Sequence, residues 1–246
     1  MGVGATRRHA STTAGTPAGA GGSPTTPGPP LRVCVVGTGP AGFYSAGQLL
    51  KRLGDGVRVD LLDRLPTPYG LVRSGVAPDH QEAKNVTNGF SAIGQDARVR
   101  FFGGVTLGVN VQLAELRGLY DAVVLAYGAE ADRHLGVPGE HAANVLPARQ
   151  FVWWYNAHPD MARVPLDLSR VESVAVCGIG NVALDCARVL LKGAAGLSST
   201  DASDSALAAL AAATGRLKDV HIFARRGPVQ AARNLGKSIV KTQATE

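Results

Sequence analysis

The sequence predicts an α/β protein with parallel sheets, and two stretches of similar design carry that prediction. Leu31-Arg32-Val33-Cys34-Val35-Val36 is a short β-branched apolar run, followed by the turn Gly37-Thr38-Gly39-Pro40-Ala41-Gly42 and a helical pattern from Phe43 to Leu53. Val171 to Cys177 is a second such run, followed by Gly178-Ile179-Gly180-Asn181-Val182-Ala183 and a helical pattern from Val182 to Lys192. Continuous apolar strands are what a parallel sheet covered on both faces requires. A G-x-G-x-x-G or G-x-G-x-x-A turn between strand and helix is the fingerprint of a dinucleotide cradle. Its first glycine allows the sharp turn, its second lets a pyrophosphate approach the backbone, and its third small residue lets helix pack on strand. The predicted fold class is therefore α/β, with two Rossmann-like dinucleotide-binding domains.

The remaining elements fit this scheme. Gly54-Asp55-Gly56 ends the first helix, and Val57 to Asp63 reads as the strand that completes one βαβ unit. Pro66 to His80 is rich in turn residues, and Gln81 to Gln95 has helical character. Short strands are predicted at Val99 to Phe102, Leu107 to Val109 and Ala122 to Ala126, the last of them buried, with a helical turn from Ala114 to Leu119. Helices are expected from Arg149 to Asn156 and from Ser205 to Thr214, and a final strand from Val220 to Ala224. The expected organisation is a leader over 1–30, a first domain over 31–131, a second, incomplete one over 132–232, and a divergent tail over 233–246.

Composition narrows the function classes. The net charge of +6 comes without a Lys/Arg block, so a nucleic-acid binder has no supporting motif, and the excess suits phosphates or an acidic partner. Cys34, Cys177 and Cys186 form no C-x-x-C pair, which argues against a disulfide framework, a dithiol reductase or a zinc site, and no metal is expected. Two of the three fall in strands predicted to be buried. No window approaches the ~20 apolar residues of a membrane span, leaving at most peripheral association. Residues 1–30 hold Arg7 and Arg8 among Ala, Gly, Ser, Thr and Pro, with no acid, the composition of an organelle transit peptide.

The strand ends differ in charge. Asp63 closes the strand after the first cradle, where a carboxylate can bind ribose hydroxyls. Arg225-Arg226 follow the strand after the second, where two guanidiniums suit a 2′-phosphate and favour NADP over NAD. The economical reading is FAD at Gly37, Gly39 and Gly42, and NADPH at Gly178 and Gly180, with hydride passing between cofactors that carry the chemistry themselves. No nucleophile–base pair is evident, and none is required.

Six segments extend the reading: Val35 to Tyr44 (VVGTGPAGFY), Pro68 to His80 (PYGLVRSGVAPDH), Ala122 to Glu130 (AVVLAYGAE), Phe151 to Asn156 (FVWWYN), Gly178 to Asp185 (GIGNVALD) and Arg225 to Gln230 (RRGPVQ). In this order they resemble the adrenodoxin reductase family, the mitochondrial-type ferredoxin–NADP reductases, from about Leu31 to Ala232. The resemblance implies an NADP domain inserted into an FAD domain. It also implies electron flow from NADPH through FAD, which divides a hydride into single electrons, to a small acidic [2Fe–2S] ferredoxin of the adrenodoxin type. Carried over by position, Ala41, Asp63, Leu71 and Leu107 would contact FAD, and Ile179, Gly180, Asn181, Val182, Arg225 and Arg226 would hold NADPH. His80 and Asp185 would lie near the flavin edge as candidate catalytic groups. The family has Glu in place of Asp63 and Gln in place of Ile179.

Past Ala232 the pattern departs, with Lys237 at a position where the family has a Glu. The resemblance then implies a fold truncated before it is complete, which sets a catalytically silent nucleotide-binding or regulatory fragment beside the reductase as the alternative. A mitochondrial location, at the matrix or inner-membrane face, follows from the resemblance and the leader, with a plastid as the alternative.

Overall fold

The computed structural model describes residues 28–129, 132, 134–161 and 166–225. The expected leader, apart from 28–30, and the expected tail lie outside the described residues, as does Arg226. Six strands and eight α-helices follow one another in this part of the chain.

The first unit is built on a four-stranded parallel sheet of β1 (Leu31–Val36), β2 (Val57–Leu62), β3 (Val99–Phe102) and β4 (Ala122–Leu125), in the order β3-β2-β1-β4. The chain builds outward from β1 through β2 to β3, then returns to the other side of β1 for β4. That reversal creates a topological switch point between β1 and β4, the place where open α/β sheets bind ligands. Helix α1 (Pro40–Leu53) connects β1 to β2, and buries Phe43, Ala46 and Leu50 against Val33, Val35, Val57, Val59 and Leu61. It begins three residues before the predicted start because Pro40 serves as a first-turn residue, where its missing N–H costs nothing. Between β2 and β3 lie α2 (Leu71–Ser74), α3 (Gln81–Lys84) and α4 (Val86–Gly94). The single helix predicted over 81–95 is therefore two, divided at Asn85. Helix α5 (Leu113–Leu119) leads into β4. The strand expected at Leu107 to Val109 is only an isolated bridge between Leu107 and Val111, because Gly108 takes a positive φ of 86° that turns the chain back.

The second unit holds two parallel strands among the described residues, β5 (Ser173–Cys177) and β6 (Asp219–Phe223). Helices α6 (Ala148–Tyr155), α7 (Asn181–Leu197, interrupted at Gly193) and α8 (Asp204–Ala212) accompany them. Phe151, Trp154 and Tyr155 of α6 pack with Val189 and Leu190 of α7 and Leu210 of α8. The apolar runs of β4 and β5 are not fully buried as predicted, and neither is β6. Exposure alternates along β5 and β6, Leu125 and Phe223 stand exposed, and Cys177 is exposed while Cys34 and Cys186 are buried. Each of these three strands has one hydrogen-bonded neighbour among the described residues, so only part of its apolar surface is covered.

Polar contacts tie the two units together. Asp79, 5% exposed at its side chain, accepts from Arg188 Nε at 2.7 Å and Arg188 Nη2 at 2.9 Å, and pairs with Lys192 at 2.7 Å. Gln81 and Lys84 both reach Asp201, Arg64 reaches Asp160, and Asn156 donates to the Val76 carbonyl. Burial pushes the Asp79 carboxyl up, but the hydrogen bonds from Arg188 and Lys192 outweigh it and hold it well below the usual carboxylate range.

A depressed carboxylate contributes its full stabilisation above its unfolded pKa, about 3.9, and loses it as pH falls toward the folded value. We expect Asp79→Asn to cost about 3 kcal/mol at neutral pH, because it leaves Arg188 and Lys192 short of a buried partner. The variant should also lose part of the acid sensitivity below about pH 4. Urea unfolding at pH 7 and pH 3 reads both, and equal stability of variant and parent at pH 7 would refute the clamp.

Candidate nucleotide-binding site

The first cradle lies at the switch point. Gly37 follows β1 with φ 103°, and its N–H donates to the carbonyl of Leu62, the last residue of β2, at 2.7 Å. A Cβ at Gly37 would come within 2.5 Å of the Ala126 and Tyr127 backbone, and one at Gly42 within 2.0 Å of the Gly37 carbonyl oxygen. Only glycine fits either place, since both collisions are with backbone that cannot step aside. Gly39 is different. The nearest atom to a Cβ there is the Gly70 Cα at 4.0 Å, so packing does not demand this glycine, and the space is open to a ligand.

Helix α1 starts at that space with no side-chain cap and no acid in its first turn. Two other helices of the same protein are capped, with Ser203 accepting from the Ala206 N–H at α8 and Gln112 and Glu115 forming a capping box at α5, whereas α2, α3, α4 and α6 also start without a side-chain cap. The uncapped end of α1 leaves N–H donors and the positive end of the helix dipole facing the glycine turn, an arrangement suited to an anion.

Asp63 stands directly beyond β2. One of its carboxylate oxygens accepts from the Thr38 N–H at 2.8 Å and from the Thr38 hydroxyl, and the other from the Leu65 N–H at 2.9 Å. Sequence reasoning missed Thr38, whose buried side chain fastens the acid to the glycine turn. Each oxygen keeps lone-pair capacity for a ribose hydroxyl. Gly70 was missed as well. It packs on Gly39 from the opposite loop, and Tyr69 donates its N–H to the Thr38 carbonyl at 2.9 Å, closing that loop over the turn. Ala41 and Leu71 are exposed around this opening, and Leu107 is half-buried beside Cys34, Val36 and Leu62.

The second cradle repeats the first. Gly178 follows β5 with φ 138°, and its N–H donates to the carbonyl of Phe223, the last residue of β6, at 2.8 Å. A Cβ at Gly180 would meet nothing within 4 Å. Helix α7 also starts without a side-chain cap or a first-turn acid. Ile179 is half-buried, and Asn181 and Val182 are exposed at this helix start. Arg225, two residues past β6, is exposed, one position further from its strand than Asp63 is from β2.

His80 and Asp185 meet at the seam, with His80 Nδ1 4.0 Å from an Asp185 oxygen that also accepts from Arg188 at 2.8 Å. The buried thiols are poor nucleophiles. Burial and the Asp60 charge push Cys34 up to about 11, and burial and the Asp185 charge push Cys186 up to about 12. Among the described residues no helix is long and apolar enough to cross a membrane.

Comparison with known proteins agrees with this geometry. A family model described as pyridine nucleotide-disulphide oxidoreductase matches residues 31–242. The chain is 54% identical over 203 residues to the mitochondrial NADPH:adrenodoxin oxidoreductase of Arabidopsis thaliana, covering 82% of this chain and 41% of that protein. The Homo sapiens protein of the same description is 47% identical over 201 residues, covering 82% and 40%. A solved structure of Mycobacterium tuberculosis FprA in complex with NADPH matches with a TM-score of 0.77 and 46% identity, covering 82% of this chain and 45% of that one. The chain thus spans less than half the length of these relatives. It belongs to the pyridine nucleotide-disulphide oxidoreductase family, on the side that resembles the NADPH:adrenodoxin oxidoreductases.

Proposed function

We propose that the chain carries the nucleotide-binding machinery of a reductase that passes electrons from NADPH through FAD to a small [2Fe–2S] ferredoxin of the adrenodoxin type. The observation that carries this reading is the repeated geometry of two uncapped helix starts. In each, the first glycine is hydrogen-bonded to the end of the neighbouring strand, and beyond that strand stand Asp63 in one unit and, one position further out, Arg225 in the other. FAD bound at the first would accept hydride from the nicotinamide and release electrons one at a time. Gly37, Gly39, Gly42 and the α1 start would receive its pyrophosphate and Asp63 its ribose, with Ala41, Leu71 and Leu107 as further contacts. Gly178, Ile179, Gly180, Asn181 and Val182 would hold the NADPH pyrophosphate. Arg225 would take the 2′-phosphate, with Arg226 beside it in sequence.

His80 and Asp185, brought to the seam by the Asp79–Arg188 clamp, are assigned to positioning or proton movement near the flavin edge. The word disulphide in the family's description does not extend to chemistry here: Cys34, Cys177 and Cys186 are free and form no C-x-x-C pair. The names of the plant, human and other relatives support a mitochondrial location. The sub-compartment, and a transit peptide in the leader, belong to the same proposal.

Two measurements test the two halves of this reading. Gly39→Ala should fold normally, since the new Cβ finds space, but should lose most of the flavin absorbance that copurifies with the parent chain. Parent protein that folds and takes up no flavin would refute the first cradle and favour a silent fragment. Arg225→Glu should weaken NADPH binding about 10- to 100-fold, the range of one charge-assisted hydrogen bond, and change NADH binding much less. Equal loss for both nucleotides would reject the 2′-phosphate role.

A further inference from the structure

The passage from β4 to α6 carries a cluster that neither cradle uses. His134, Glu140 and His141 each offer a ligand atom there, and the three atoms lie within 4.8 Å of one another. His134 Nδ1 stands 3.4 Å from a Glu140 oxygen, and the two imidazole rings meet edge to face with centroids 5.5 Å apart. The intervening turn holds this arrangement. Gly136 and Gly139 take φ of 69° and 85°, which folds the segment back on itself. The carboxylate is fixed from behind, because the Leu135 N–H donates to one oxygen at 2.7 Å and the Gly136 N–H to the other at 2.8 Å. Each oxygen keeps a lone pair for a further partner.

These separations have a chemical meaning. Zinc binds imidazole nitrogen and carboxylate oxygen at about 2.0–2.2 Å, so two such ligands in a tetrahedron stand about 3.4 Å apart. The His134–Glu140 pair already has that spacing. His141 is exposed, so its imidazole can rotate to the same distance without disturbing the core. Two imidazoles with one carboxylate suit a borderline transition metal, whereas calcium and magnesium prefer oxygen alone.

We propose that His134, Glu140 and His141 form a three-ligand site for a divalent transition-metal ion, with zinc as the simplest occupant and water in the fourth position. The ion would join both ends of the 134–141 turn, in the connection that Arg149 also anchors through the Ala129 carbonyl and Asp132. Cysteine spacing could not reveal this site, because it uses no thiol.

The test uses the untagged 246-residue chain, stripped with a chelator and titrated calorimetrically with zinc chloride and, separately, calcium chloride. One zinc per chain should bind with micromolar affinity, and calcium should give no heat. His134→Gln and His141→Gln replace exposed side chains, so the circular dichroism spectrum should not change while zinc affinity falls at least about tenfold in each. Absence of zinc binding, or binding undiminished in both variants, overturns the site, the second result placing the metal elsewhere. The readout is metal binding alone and does not depend on flavin or nucleotide uptake.

Discussion

The Asp79 carboxylate is the contact on which the relation between the two cradles depends. It lies in the loop that precedes α3 in the first unit, yet its partners Arg188 and Lys192 are on α7, the helix that begins at the second cradle. A charge this deeply buried is costly unless it is paired on several sides. Three donors meet that need, and they can do so only with α7 at one place and rotation. The same guanidinium bridges Asp79 to Asp185, which lies one helical turn back toward Gly180 and faces His80. The helix that begins at the second glycine turn is thereby fixed, along its length, to the loop that flanks the first.

The two cradle helices share a bare start with α2, α3, α4 and α6, but only theirs directly follow a strand and a glycine turn. Most helix starts in proteins satisfy their free N–H groups with a side-chain oxygen, and α5 and α8 do so. A capping Ser or Asp at Gly39 or Gly180 would occupy the donors, and an acid in the first turn would repel a phosphate. Both positions are glycine, and both first turns are free of acids. Neither Gly39 nor Gly180 is required by packing, whereas Gly37 and Gly42 are. A glycine that the fold does not need, at a helix start that nothing caps, is best explained by what binds there.

Much of this was legible in the sequence because it is local. β1, β2 and β3 follow from apolar runs bounded by glycine, and the cradles from three small residues at fixed spacing. What escaped was long-range or depended on context. Asp79 and Arg188 are 109 residues apart, and no periodicity links them. Thr38 stands at an unrestricted position of the glycine pattern, although its N–H and hydroxyl both hold Asp63. The division at Asn85 was invisible to a helical pattern that continues on both sides. Burial of β4 and β5 was misjudged for another reason. An apolar run indicates what a strand can bury, but covering it takes neighbours, and each of these has one among the described residues.

On the proposed reading, the two strand-end charges would decide which nucleotide each cradle accepts, by exclusion as well as attraction. A carboxylate at Asp63 accepts hydrogen bonds from ribose hydroxyls but repels a 2′-phosphate at the same place. Thr38 strengthens that selection by holding the acid against the turn, so the shorter Asp cannot swing away to relieve the repulsion. Arg225 would reverse the preference: a guanidinium attracts a phosphate dianion, and with only a diol before it, it would find no charged partner. The two units share the strand, the turn and the bare helix start, so those features would provide affinity for any dinucleotide. On the proposed reading, the choice between two dinucleotides would rest on single residues two positions or fewer beyond β2 and β6.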